Sequence, residues 1–88
     1  MNINLKLTVM KQNVYGFLCK CINQTLEENI EVNYSDYLNG DLGLDELDVV
    51  FICLEFKKEF SVDISIEDLP ADFTVEDFVN AVCSLTKN

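Results

Sequence analysis

Between residues 7 and 26 the apolar side chains fall at Leu7, Met10, Val14, Phe17, Leu18, Cys21, Ile22 and Leu26. Steps of three and four residues place them in one stripe of a helix, so the pattern predicts a first helix over residues 7–26. Gly16 lies inside it at a cost of about 1 kcal/mol relative to alanine, which weakens its middle. Residues 29–44 instead collect turn formers: Asn29, Asn33, Ser35, Asp36, Asn39, Gly40, Asp41 and Gly43. They predict a long loop, with Tyr34, Tyr37, Leu38 and Leu42 available to pin it to a core.

Asp45 is placed to cap a helix that begins at Glu46, and neither Gly nor Pro interrupts the chain from there until Pro70. Read alone, Val49–Leu54 suits a buried strand. Phe56 and Phe60 continue an i,i+4 pattern beyond it, however, and the run is too long for a strand, so a second helix is predicted from Glu46. A short helix at residues 65–69 is stopped by Pro70. Thr74 with Asp77 then forms a capping box for a last helix with a stripe of Val75, Phe78, Val79, Val82 and Leu85. The prediction is all-α: one domain over residues 1–88, a small four-helix bundle of three long helices and one short.

The second helix carries more apolar surface than a core requires. Val49, Ile52, Cys53, Phe56 and Phe60 make one stripe, and at about 100° per residue Leu47, Val50, Phe51 and Leu54 make a second, roughly 150° away. Asp48, Glu55 and Glu59 share a third, acidic face. A second apolar stripe on a helix packed on one side calls for an occupant. Either the long loop covers it through Tyr34, Tyr37 or Leu38, or it is a binding surface with Phe51 as its anchor.

The chain of 88 residues has 49% apolar residues, enough for a packed globule, and no apolar run approaches the roughly 20 residues of a membrane span. Sixteen acids oppose six lysines, with no arginine and no histidine, for a net charge of −10. Residues 1–26 hold three lysines and no acid (+3); residues 27–88 hold all sixteen acids and three lysines (−13). Such a charge repels nucleic acid and anionic lipid and favours basic partners. Without histidine there is no Ser–His or Cys–His nucleophile pair and no imidazole metal site. No carboxylate has a sequence context that suggests a raised pKa, so no catalytic residue is assigned. Cys19, Cys21, Cys53 and Cys83 lack C-x-x-C spacing and each sits in an apolar stretch, which predicts free core thiols. Together with a start that has no secretory pattern, this implies a cytoplasmic location. An EF-hand loop fails because Ser35 or Leu38 would stand at its first ligand position. The acids Asp36, Asp41, Asp45 and Asp48 remain as a weak divalent site at which magnesium is expected to raise the melting temperature most strongly.

The segment Asp41-Leu42-Gly43-Leu44-Asp45-Glu46-Leu47-Asp48 resembles the Asp-Leu-Gly-x-Asp-Ser-Leu-Asp signature of acyl carrier proteins, which hold acyl chains on a phosphopantetheine arm. Phe60 and Val62-Asp63-Ile64 fall at the family's Glu-Glu-Phe and Ile-Glu-Ile segment, and Phe73-Thr74-Val75 matches the opening of its last helix. Residues 41–79 follow the family pattern without a gap, and the first helix and long loop agree in layout. The resemblance implies the four-helix carrier fold. The family attaches its arm to the serine between Asp and Leu, and here that residue is Glu46, which cannot form the phosphodiester. None of Ser35, Ser61, Ser65 and Ser84 has that setting. The resemblance therefore implies a carrier fold without phosphopantetheine, from a fatty-acid or polyketide-type pathway.

Glu46 suits the partial positive charge of a helix start. It stands either as a mimic of the phosphodiester's charge or simply as a good first-turn residue. Family carriers meet basic patches on their enzymes through the second helix, and Asp45, Asp48 and Glu59 keep acids at matching places, whereas Phe51, Lys57 and Lys58 stand where the family is usually acidic. The leading expectation is a non-enzymatic module that binds a protein with a basic and apolar surface through Leu47, Asp48, Val50, Phe51, Leu54, Glu55 and Glu59, or forms a homodimer through the same helix. Two alternatives stay open. One is a true carrier whose serine has been replaced by Glu46; the other is an acidic inhibitor or immunity-type protein that neutralises a basic enzyme.

Overall fold

The computed structural model describes residues 3–86, with side-chain surroundings from residue 8 onward, so Leu7 of the first stripe lies outside the described side chains. Three α-helices follow in order: α1 (Ile3–Leu26), α2 (Glu46–Phe60) and α3 (Val75–Thr86). The predicted short helix is a single 3-10 turn, Ile66–Asp68, which makes three α-helices among the described residues rather than four. Leu69 leaves that turn with extended backbone (φ −116°, ψ 154°), the conformation that a following proline imposes.

Local chemistry sets each boundary. Asp45 caps α2 as expected, and its partner is Asp48: the Asp48 N–H donates to Asp45 Oδ1 (2.8 Å), and the Asp45 N–H donates to Asp48 Oδ2 (3.1 Å). Thr74 and Asp77 close the equivalent box on α3, at 3.1 and 3.0 Å. At the far ends, α1 stops at Glu27 (φ 55°) and α2 at Ser61 (φ 56°), both in the left-handed region. The Glu27 and Glu28 N–H groups fold back onto the carbonyls of Gln24 and Asn23, which satisfies two of the helix's terminal acceptors without a glycine.

α1 packs against both α3 and α2. One cluster of buried side chains spans the three helices and the loops, with Val14, Leu18 and Ile22 from α1, Val49, Ile52 and Phe56 from α2, and Phe78, Val79 and Val82 from α3. Phe56 is its hub, with ring centroids 4.9 Å from Phe17, 5.3 Å from Phe60 and 5.3 Å from Phe78. Residues 62–65 alternate, sending Val62 and Ile64 into this core and Asp63 and Ser65 to solvent.

One core assignment changes. Leu85 is 48% exposed, because at the last turn of α3 it is Thr86 that reaches α1, donating from Oγ1 to Met10 Sδ (3.2 Å). Phe60 is half-buried, since it lies on the outer edge of the aromatic cluster at the end of α2.

The loop predicted over residues 29–44 is anchored by two of the four side chains expected to pin it. Leu38 is fully buried and Leu42 half-buried, whereas Tyr34 and Tyr37 are exposed by about two-fifths. Val32 and Leu44 are buried as well. The rest of the anchoring is main chain. Tyr37 and Thr74 form an isolated antiparallel bridge. The N–H groups of Val75 and Glu76 donate to the carbonyls of Asp36 (2.9 Å) and Tyr34 (3.0 Å), so the loop satisfies the unpaired donors of the α3 start. The Tyr15 hydroxyl adds a hydrogen bond to the Val32 carbonyl.

Candidate functional site

The motif over residues 41–48 folds into a tight approach to α2. Asp41 Oδ2 accepts from the Tyr37 N–H (2.8 Å), and the Gly43 N–H donates to the Asn39 carbonyl (3.1 Å). Gly43 sits at φ +74°, where a side chain would strain the turn. Leu44 is fully buried, and its carbonyl accepts from Asn39 Nδ2 (3.0 Å). The chain thus arrives at Asp45 with Glu46 at the first position of α2, exposed to solvent.

From there the helix divides as its periodicity requires. Val49, Ile52, Cys53 and Phe56 are buried. Leu47, Val50, Phe51 and Leu54 are exposed by 61%, 39%, 55% and 50%. The loop does not cover them: Leu38 is spent in the core, and Tyr34 packs edge-on against Tyr15 at 4.8 Å. Of the acids assigned to this helix, Asp48 is held in the capping box, while Glu55 and Glu59 are exposed. Lys58 pairs with Glu55 across one turn (3.4 Å) in a solvent-exposed geometry that contributes little.

Beside the ridge, α2 and residues 63–67 enclose an open cleft of about 400 Å³. Val50, Cys53, Leu54, Ile64 and Ile66 give it an apolar lining, and Glu46, Lys57, Asp63 and Glu67 stand around it. The second apolar stripe was legible in the sequence, but this cleft was not, because its far wall, residues 63–67, is brought against α2 only by the tertiary fold.

The four aspartates proposed as a divalent site are not gathered into one. Asp36 Oδ2 accepts from the Asn33 N–H (2.9 Å), Asp41 turns to Tyr37, and Asp45 and Asp48 cap one another. Among the described residues no three His, Cys, Asp or Glu side chains are placed to hold a metal ion. The expectation for magnesium changes accordingly. Salt should raise the melting temperature by screening the acidic residues 27–88, and magnesium should do no more than sodium at equal ionic strength. A distinctly larger rise in magnesium would restore a specific divalent site.

All four cysteines are free, and Cys21, Cys53 and Cys83 are buried as expected; Cys19 is only half-buried, on the flank of α1 that holds Tyr15. Burial, aided for Cys21 by Glu55 and for Cys53 by Asp68, pushes both thiols up to about 11, so they are protonated at neutral pH. No helix among the described residues is long and apolar enough to cross a membrane. No family model matches the chain, and no solved structure matches it.

Proposed function

We propose that the protein is a non-enzymatic, acyl-carrier-like module that carries no phosphopantetheine and acts by binding a partner protein through α2. The observation that carries this reading is the exposed ridge of Leu47, Val50, Phe51 and Leu54, which begins one residue after Glu46. In this reading the 3-10 turn is the short fourth helix of a carrier-type bundle, and the 41–48 motif delivers the chain to the start of α2, where the family has its attachment serine. The Glu46 carboxylate has no hydroxyl to esterify, so the position does not fit the arm. The partner has a basic and apolar surface, and the pathway is of fatty-acid or polyketide type. Four free cysteines suit a reducing compartment, and we assign the protein to the cytoplasm.

Incubation with coenzyme A and a phosphopantetheinyl transferase is expected to leave the intact mass unchanged, whereas Glu46→Ser gains the arm. A modified wild-type chain would overturn the proposal. Should Glu46→Ser stay unmodified while still folded, the carrier-type recognition face is lost, and Phe51, Lys57 and Lys58 become the residues to revert.

A further inference from the structure

α1 and α2 lie side by side and antiparallel, and two hollows follow one another along the seam between them. The first, about 260 Å³, joins Gln24 and Thr25 to Phe51 and Glu55; the second, about 480 Å³, joins Gly16 and Lys20 to Glu59 and Phe60. Lys20, Glu55 and Glu59 are exposed, and all three act on the thiol of Cys21, which lines the first hollow.

Gly16 has no task within one chain. It is exposed in the middle of α1, has no positive φ that would call for glycine, and has open space where a side chain would stand. A glycine there weakens the helix relative to alanine, but it bares the backbone to close approach by another molecule. Phe51 stands toward the other end of the same seam, 55% exposed.

Charge names the occupant. Residues 1–26 hold three lysines and no acid, so the α1 bank of the seam is basic, through Lys20, while the α2 bank carries Glu55 and Glu59. Among the described residues, Lys20 and Glu59 stand in no ion pair. A face that is basic on one side of a line and acidic on the other is self-complementary about a two-fold axis along that line. Turning a second copy about that axis sets its α1 over α2 and its α2 over α1, so each lysine meets acids. The net charge of −10 on each chain opposes this at long range, yet salt screens it beyond about 8 Å at physiological ionic strength, whereas the seam pairs charges in contact. The balance gives a weak dimer that yields to monomer in dilute solution.

We infer that two copies of the chain form a two-fold dimer through the α1–α2 seam, with Phe51 of each against α1 of the other, Gly16 of each beneath α2 of the other, and Lys20 of each beside Glu55 and Glu59 of the other. The dimer goes beyond the reading of α2 as a partner surface. It takes up the Phe51 flank of the ridge and leaves Val50 and Leu54, which line the cleft against residues 63–67, to other proteins.

Sedimentation equilibrium at physiological salt, from micromolar to millimolar protein, tests it. The wild type should pass from monomer to dimer, and Phe51→Ala should weaken the dimer about 30-fold, as the loss of a central aromatic does. Gly16→Gln should weaken it at least about tenfold while raising the melting temperature of dilute protein, because glutamine is the better helix former. Lys20→Glu should weaken it about tenfold, and Lys20→Glu with Glu59→Lys should recover most of the loss by exchanging the banks. Lys57→Glu changes the net charge as Lys20→Glu does but from the other flank of α2, and should have little effect. Equal losses from Lys20→Glu and Lys57→Glu would reduce the effect to bulk repulsion and overturn the seam. A dimer indifferent to Phe51→Ala and Gly16→Gln would lie elsewhere and overturn it too. A monomer at every concentration overturns the dimer outright, and Phe51→Trp, the single tryptophan of such a chain, then separates the two readings. Solvent-like emission from that monomer leaves α2 open to another protein, whereas blue-shifted emission means the ridge is covered within the chain and the α2 reading fails as well.

Discussion

Phe56→Ala is expected to lower stability by about 3–5 kcal/mol, whereas Phe51→Ala, five residues earlier on the same helix, should change it by only about 0.5 kcal/mol. Phe56 is fully buried, with Phe17, Phe60 and Phe78 about it, so truncation removes a large transfer contribution and opens a cavity that joins all three helices. Phe51 is 55% exposed, and its loss leaves the interior filled. A domain of this length has roughly 4–13 kcal/mol in hand, so Phe56→Ala removes a large share of it. Urea midpoints of the two variants decide the matter. Comparable losses would mean that the ridge is covered in solution and that the proposed docking face is core.

Stability should also fall steeply between about pH 9 and 11. The Cys21 and Cys53 thiols have an ordinary value of 9.0 and are raised to about 11 in the folded protein, first by burial. Between those values the unfolded chain has lost both protons and the folded chain still holds them. Fewer protons on the unfolded state means that stability decreases as pH rises. This stabilisation, reduced by the partial solvation of both thiols, is fully present below pH 9 and lost as pH passes about 11. Tyr15, raised to about 12 chiefly by burial, extends the decline above its ordinary value of 10.0. The check is the urea midpoint against pH for the wild type and for a Cys21→Ala, Cys53→Ala double variant, which shares every lysine and tyrosine but should show a much shallower slope. Parallel curves would show that Cys21 and Cys53 are not the cause.

Periodicity made the helices readable because each carries a continuous buried stripe: Val14, Leu18, Cys21 and Ile22 on α1, and Val75, Phe78, Val79 and Val82 on α3, lie where three- and four-residue steps put them. The second stripe of α2 was readable for the same reason, and its exposure followed once Leu38 was found in the core. Other features depend on partners far away in sequence. Leu85 shares the stripe of α3 yet stays in solvent because Thr86 makes the contact with Met10. The four aspartates near α2 look like a cation site in one dimension; in three, each accepts from a backbone N–H close by in the chain, that of Asn33, of Tyr37 or of its capping partner. The cleft beside Glu46 needed residues 63–67 to be brought against α2, and no local pattern encodes that approach.

The joint between the long loop and α3 is made from peptide groups: Leu38 N–H to the Phe73 carbonyl, Val75 N–H to Asp36, and Glu76 N–H to Tyr34. Such bonds are indifferent to the side chains that their residues carry. Exposed positions such as Ser35 and Tyr37 can therefore drift over generations without loosening the joint, provided that proline does not arrive at a donor and Leu38 keeps its place inside. The loop that delivers the chain to α2 is open to revision on its outer surface, so its wording can be rewritten while its hold on the last helix endures.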